Sequence, residues 1–125
     1  MCLSDRSDTN EGSPMEERIF NSNCPVGVTM KILSGKWKIW ILFMLAEGPK
    51  RFNELQRMKE GLTQRMLTMH LRELEQDKII VRTAYSVVPP KVEYSLSDLG
   101  QTLKPLLDDL QKWGAYYIDE MGLKN

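Results

Sequence analysis

Leucines fall at positions 67, 71 and 74 of the stretch TQRMLTMHLRELEQD (63–77), a spacing that stacks side chains on one stripe of an α-helix turning about 100° per residue. Met66 and His70 lie at the edge of that stripe. Arg65, Thr68, Met69, Arg72 and Gln76 gather on the opposite face. Thr63 is the natural N-cap, with Gln64 opening the helix. An apolar floor under guanidinium, hydroxyl and amide groups is the chemistry of a helix that reads a DNA major groove. An ordinary amphipathic surface helix carries the same pattern, so its neighbours in the chain must decide.

Upstream, residues 36–46 (KWKIWILFMLA) are too apolar for a surface helix and, at eleven residues, too short to cross a bilayer, which takes about twenty. They predict a buried core helix, ended by Gly48 and Pro49. Lys50 and Arg51 are placed to form a short strand. Residues 52–59 predict a short helix anchored by Phe52 and Leu55, and Gly61 and Leu62 make the turn into Thr63. Downstream, 79–85 (IIVRTAY) and 92–96 (VEYSL) are β-branched and aromatic and read as the strands of a hairpin. Pro89 and Pro90 stiffen the connection between them. Arg82 and Lys91 bracket it with positive charge. The order helix, tight turn, polar-faced helix, hairpin predicts a mainly α fold with a small β-hairpin wing, a winged helix-turn-helix. In that fold Thr63, Gln64, Arg65, Thr68, Met69 and Arg72 are the candidate recognition residues. Arg82 and Lys91 belong to the wing, with Lys36, Lys50 and Arg51 as supporting cations.

The remainder of the chain reads as a tail and two further helices. Residues 1–22 are polar and predict a largely disordered tail before a domain over 23–122. Cys24 precedes Pro25, which favours the first position of a helix over 25–33, so the thiol is expected at a helix N-cap beside a dimer surface. There the helix dipole favours a thiolate and makes Cys24 a candidate redox residue, with Cys2 as a possible resolving thiol. Ser97 is expected to cap a last helix running from Asp98 to about Met121, bent at Pro105. Its stripe of Leu99, Leu103, Leu106, Leu107, Leu110, Trp113 and Tyr117 is longer than one small domain easily buries. Leu103, Leu106, Leu110, Trp113 and Tyr117 are therefore expected at a homodimer interface, formed with the first helix. Folding back onto its own core is the alternative.

Composition limits the chemistry further. The 125 residues suffice for one hydrophobic core. Two cysteines, with no export signal or apolar span, point to a reducing cytoplasm and away from a structural disulfide framework. The formal net charge is zero, yet residues 31–91 carry +6 while the segments before and after carry −3 each. Positive charge is thus concentrated on the predicted reader and wing. No catalytic, metal-binding or cofactor-binding pattern is present, and His70, the single histidine, reads as a packing residue. The eight methionines suit an adaptable core, or the lining of a small-molecule pocket.

Taken together, CPVGVTMKILSGKWKIWIL, GPKRFNELQ, GLTQRMLTMHLRELE and VVPPKVEYSLSDLG resemble the HxlR-type bacterial transcriptional regulators, a winged-helix group related to the MarR type. Gly35, Lys36 and Trp37 match the start of that family's core helix, and Pro89, Pro90 and Tyr94 match its wing. The resemblance implies a cytoplasmic homodimer that binds palindromic operator DNA, responding to an oxidant or a small molecule. It also implies a thiol switch at Cys24, since a cysteine at this place serves several members so. Met69 and His70 stand where many relatives carry other polar residues, so the operator is not transferable. A winged-helix module that binds protein instead of DNA is the competing class, and a small enzyme is disfavoured by the missing acid, base and nucleophile.

Overall fold

The computed structural model describes residues 24–123, so the expected tail over 1–22, with Cys2, lies outside the described residues. The boundary between two compact units falls between Lys36 and Trp37. In the first, Cys24 is the N-cap of α1 (Pro25–Ile32), with Pro25 at the helix start and Leu33 as C-cap. Cys24 is buried, makes no side-chain capping hydrogen bond and is disulfide-bonded. This corrects the expectation of a thiol at the helix start and of cysteines kept reduced. A sulfur held in a covalent bond has no thiolate for the helix dipole to stabilise.

The second unit holds the rest. Helix α2 (Lys36–Glu47) buries Lys38, Ile41, Leu42 and Leu45, which recur at one-turn spacing along a single face. After Gly48 and Pro49, Arg51 caps α3 (Phe52–Arg57), its backbone N–H donating to the Glu54 carboxylate at 2.7 Å, and Leu55 anchors the helix in the core. Gly61, at φ +89°, supplies the left-handed turn between α3 and α4 (Gln64–Gln76). Helix α4 is capped by Asp77, Lys78 follows at φ +65°, and Ile79 N–H reaches back to the Leu74 carbonyl at 3.0 Å. That closing bond satisfies a terminal carbonyl and turns the chain into the sheet.

Strands β1 (Ile80–Tyr85) and β2 (Lys91–Leu96) pair antiparallel from Ile80 opposite Leu96 to Tyr85 opposite Lys91. Lys50 joins the other side of β2 through two backbone bonds with Tyr94. The short strand expected at Lys50 and Arg51 is thus a single bridge. Ile80 and Leu96 are buried at the base of the hairpin, whereas the connection over 86–90 is exposed, Val88 almost completely at 99%.

The long last helix is broken in two, α5 (Asp98–Gln101) and α6 (Lys104–Met121). Pro105 has no N–H to give the Gln101 carbonyl and its ring crowds that group, which disfavours a continuous helix there. Thr102 and Leu103 instead bond to Leu99 and Gly100, three residues back. Ser97 caps α5, accepting from Gly100 N–H at 2.9 Å while its hydroxyl reaches the Lys78 and Ile79 carbonyls at 2.7 and 3.0 Å. One serine therefore ties the entry of β1 to the exit of β2. No helix among the described residues is long and apolar enough to cross a membrane.

Gly100 is buried at this seam, and a Cβ on it would strike the backbone carbonyl of Ile79. Gly100→Ala should lower stability by about 1–3 kcal/mol, read by urea denaturation, because a backbone atom cannot swing aside as a side chain would. An unchanged midpoint would show that the seam yields.

Candidate nucleic-acid interface

Helix α4 is built as its sequence predicts. Thr63 accepts the Met66 N–H at 3.1 Å, and Leu67, Leu71 and Leu74 are buried. With that side committed inward, Gln64, Arg65, Thr68, Met69, Arg72, Glu73 and Gln76 line one open concavity on the outer side. Five of the six predicted recognition residues meet there, and the sixth, Thr63, caps the same helix. Arg65, Met69 and Arg72 are exposed. The Thr68 hydroxyl donates to the Gln64 carbonyl at 2.8 Å, so toward a ligand it is an acceptor.

The wing differs in detail from the sequence reading. Arg82 faces Tyr94 across the sheet, whereas Lys91 faces Tyr85. Positions 82 and 85 are an odd number of residues apart, which sends Arg82 and Lys91 to opposite faces of the hairpin. Only Lys91 borders the connecting loop. It lies 5.0 Å from the centre of the Tyr85 ring and 3.4 Å from Glu93, whose other carboxylate oxygen takes the Tyr85 hydroxyl at 3.2 Å. Arg82 and Arg51 are exposed, and Lys50 is paired with Glu47 at 3.5 Å. Lys36 opens α2 and is exposed. None of these five lines the concavity on α4.

Of the predicted interface residues on α6, Leu106, Leu110, Trp113 and Tyr117 are exposed, Trp113 at 64%, and Leu103 is half-buried. Trp113 and Tyr117 stack at 5.4 Å, and Tyr116, Ile118 and Met121 add to the exposed apolar surface. Leu107 alone is buried in this helix.

The Lys38–Glu73 pair escaped the sequence reading. Lys38, on the inward face of α2, places its Nζ 2.7 Å from Oε1 of Glu73 on α4. The signal was present: Lys38 sits one turn before Ile41 and Leu42 and two before Leu45, in register with the apolar face. The hydrogen bond from Lys38 holds the Glu73 carboxyl below its ordinary 4.5, against the opposing effect of burial. One turn earlier, His70 has a buried Nδ1 without a hydrogen-bond partner. Burial lowers its pKa from the ordinary 6.5, Glu73 opposes that shift and Lys38 reinforces it.

A family model described as HxlR-like helix-turn-helix matches residues 32–121. The HTH-type transcriptional regulator YdeP of Bacillus subtilis is 50% identical over 98 residues, covering 78% of this chain and 77% of its own. Among solved structures, the redox regulator HypR in its reduced form superposes with a TM-score of 0.74 at 45% identity, over 80% of this chain and 99% of that one. Its oxidised form gives 0.70 at 48% identity, over 74% and 96%.

The lowered pKa of His70 makes stability depend on pH. The unfolded chain takes up a proton near pH 6.5 before the folded one does, so stability is complete above that pH and declines below it. Glu73 acts with the same sign lower down, its contribution being lost as pH falls below about 4.5. Urea midpoints should therefore drop between pH 7 and 5, and His70→Gln should remove much of that drop. Parallel midpoint curves for the two proteins would refute the assignment to His70.

Proposed function

The chain belongs to the HxlR-like helix-turn-helix family, and on that premise we propose that it is a transcriptional regulator that binds palindromic operator DNA as a cytoplasmic homodimer. The family and the relatives found are transcriptional regulators of HxlR or MarR type, not enzymes. One observation carries the DNA reading: α4 buries its leucines and turns Arg65, Thr68, Met69 and Arg72 along a single open concavity. Two guanidinium groups there suit the O6 and N7 acceptors of guanine. The wing, with Arg82 and Lys91, contacts the backbone beside the reader, and Lys36, Lys50 and Arg51 add phosphate contacts.

The dimer reading rests on α6. An 18-residue helix with one buried side chain and a stacked Trp113–Tyr117 pair in solvent is an apolar surface of the kind that marks subunit contacts. A second copy covering Leu106, Leu110, Trp113 and Tyr117, with Leu103 at the edge, would set two reader helices about 34 Å apart, one turn of the duplex.

Cys24 supplies the regulatory part. It is held in a disulfide, and the HypR structures are those of a redox regulator in two oxidation states. Reduction of the Cys24 disulfide consumes two electrons and two protons and gives two thiols. A two-electron oxidant reverses it. Covalent constraint at the start of α1 then biases the dimer toward one operator affinity.

Two outcomes test the proposal. The protein should sediment as a dimer, and Arg65→Ala and Arg72→Ala should each keep the fold while weakening operator binding by about 1–3 kcal/mol if they read bases. A monomer at micromolar concentration removes the dimer, and unchanged binding by both variants removes the reader assignment. Diamide treatment should change the operator affinity of the reduced wild type and leave Cys24→Ser unaltered. Equal responses of the two proteins would show that the switch lies elsewhere.

A further inference from the structure

Lys38 is the one buried charged residue among those described, 4% exposed on the core face of α2. Nothing in that face requires an ammonium group. Ile41, Leu42 and Leu45, which share it, are aliphatic. Apolar side chains of similar size often replace buried ion pairs without loss of stability. The lysine instead spans two environments. Its stem is enclosed with the core, and its Nζ meets Glu73, whose side chain is 45% exposed and forms part of the concavity beside Arg72. His70 stands one turn away on the same helix, so the charges that act on Glu73 are those of Lys38 and, when protonated, His70.

A carboxylate on a surface that receives DNA is unfavourable, because it faces phosphate and the acceptor-rich edges of guanine. We propose that Lys38 is a buried counter-charge for Glu73, a positioning residue for DNA binding that acts through the carboxylate and never touches nucleic acid. The proposal rests on the DNA-binding reading above. Lys38 draws one oxygen of Glu73 toward the core and cancels its charge, so Arg65 and Arg72 act on the duplex without a competing anion. The cation itself is shielded in the core and contributes no phosphate contact. The Lys38–Glu73 unit is electrically silent toward DNA only while both members are present.

The test measures binding of duplex DNA across a salt series for the full-length wild type, Lys38→Met, Glu73→Gln and the double variant, each checked for fold by urea denaturation. Methionine keeps most of the lysine stem and removes the charge. Lys38→Met should weaken binding to operator and random duplex alike by about five- to tenfold at low salt, with a salt slope lower by about one unit, because an uncompensated carboxylate now opposes one phosphate contact. Adding Glu73→Gln to Lys38→Met should restore affinity to within about twofold of wild type. Packing alone predicts no such rescue, and a double variant as weak as Lys38→Met overturns the inference. Glu73→Gln alone alters a side chain open to solvent and should bind at least as tightly as wild type. A fivefold loss there would make Glu73 a direct contact and overturn the masking role, even if Lys38→Met fails to fold. Wild type that binds no duplex at low salt would overturn the DNA reading itself, whereas a binding wild type matched by Lys38→Met overturns the counter-charge alone.

Discussion

Burial of Leu67, Leu71 and Leu74 is the constraint from which the outer surface of α4 follows. Each leucine removed from water contributes about 1.5–3 kcal/mol. Rotating the helix by one residue, about 100°, would expose that stripe and drive arginine or threonine inward. The outer face is therefore oriented by side chains that lie in the core. Gly61 and Thr63 fix where the helix starts, and Lys78 with Ile79 fixes where it stops. Between those limits Arg65, Thr68, Met69 and Arg72 have a single way to face.

A second constraint joins this helix to the wing. Ile79 leaves α4 and enters β1, and its carbonyl accepts from both the backbone and the hydroxyl of Ser97, where β2 gives way to α5. Gly100 packs against the same carbonyl. The base of the hairpin is thus clamped at both strands, with Ile80 and Leu96 buried beside it, while the far end around Val88 stands in solvent. A rigid base and an exposed tip let a hairpin act as a wing, since its direction is set where it meets the core and its contacts lie at the other end.

Much of this was legible because it is written locally. The period of α4, the caps at Thr63 and Ser97, and the β-branched strands around Pro89 and Pro90 are each set by residues near in sequence. What was not legible depends on distance or on a second pattern overriding the first. The leucine spacing from Leu99 to Tyr117 suggested one bent helix, but the helix is broken ahead of Pro105, whose missing N–H disfavours continuation. Arg82 and Lys91 looked like a pair because both are basic, and strand alternation parts them. Tyr85 meets Lys91 across the sheet, a contact set by register, while Glu93 reaches Lys91 from two residues along the same strand. The Lys38–Glu73 pair joins helices remote in sequence. Only its lysine half was visible, as a cation where the α2 pattern calls for an aliphatic residue.

On the proposed function, these pairings bear on how a chain of zero formal charge would meet a polyanion. Of the lysines behind the +6 of residues 31–91, Lys38, Lys50 and Lys91 are paired with Glu73, Glu47 and Glu93. Arg65 and Arg72 on α4 and Arg82 on β1 are exposed. The distinction is chemical as well as electrostatic. An ammonium is a compact point charge that a single carboxylate can satisfy, whereas a guanidinium offers a planar fork matched to two acceptors at once. With Lys38, Lys50 and Lys91 beside carboxylates and Arg65, Arg72 and Arg82 turned outward, the exposed forks mark this surface more than its total charge does. In a protein that binds DNA, overall neutrality limits indiscriminate attraction to phosphate and leaves a larger share of binding to contacts that distinguish one sequence from another.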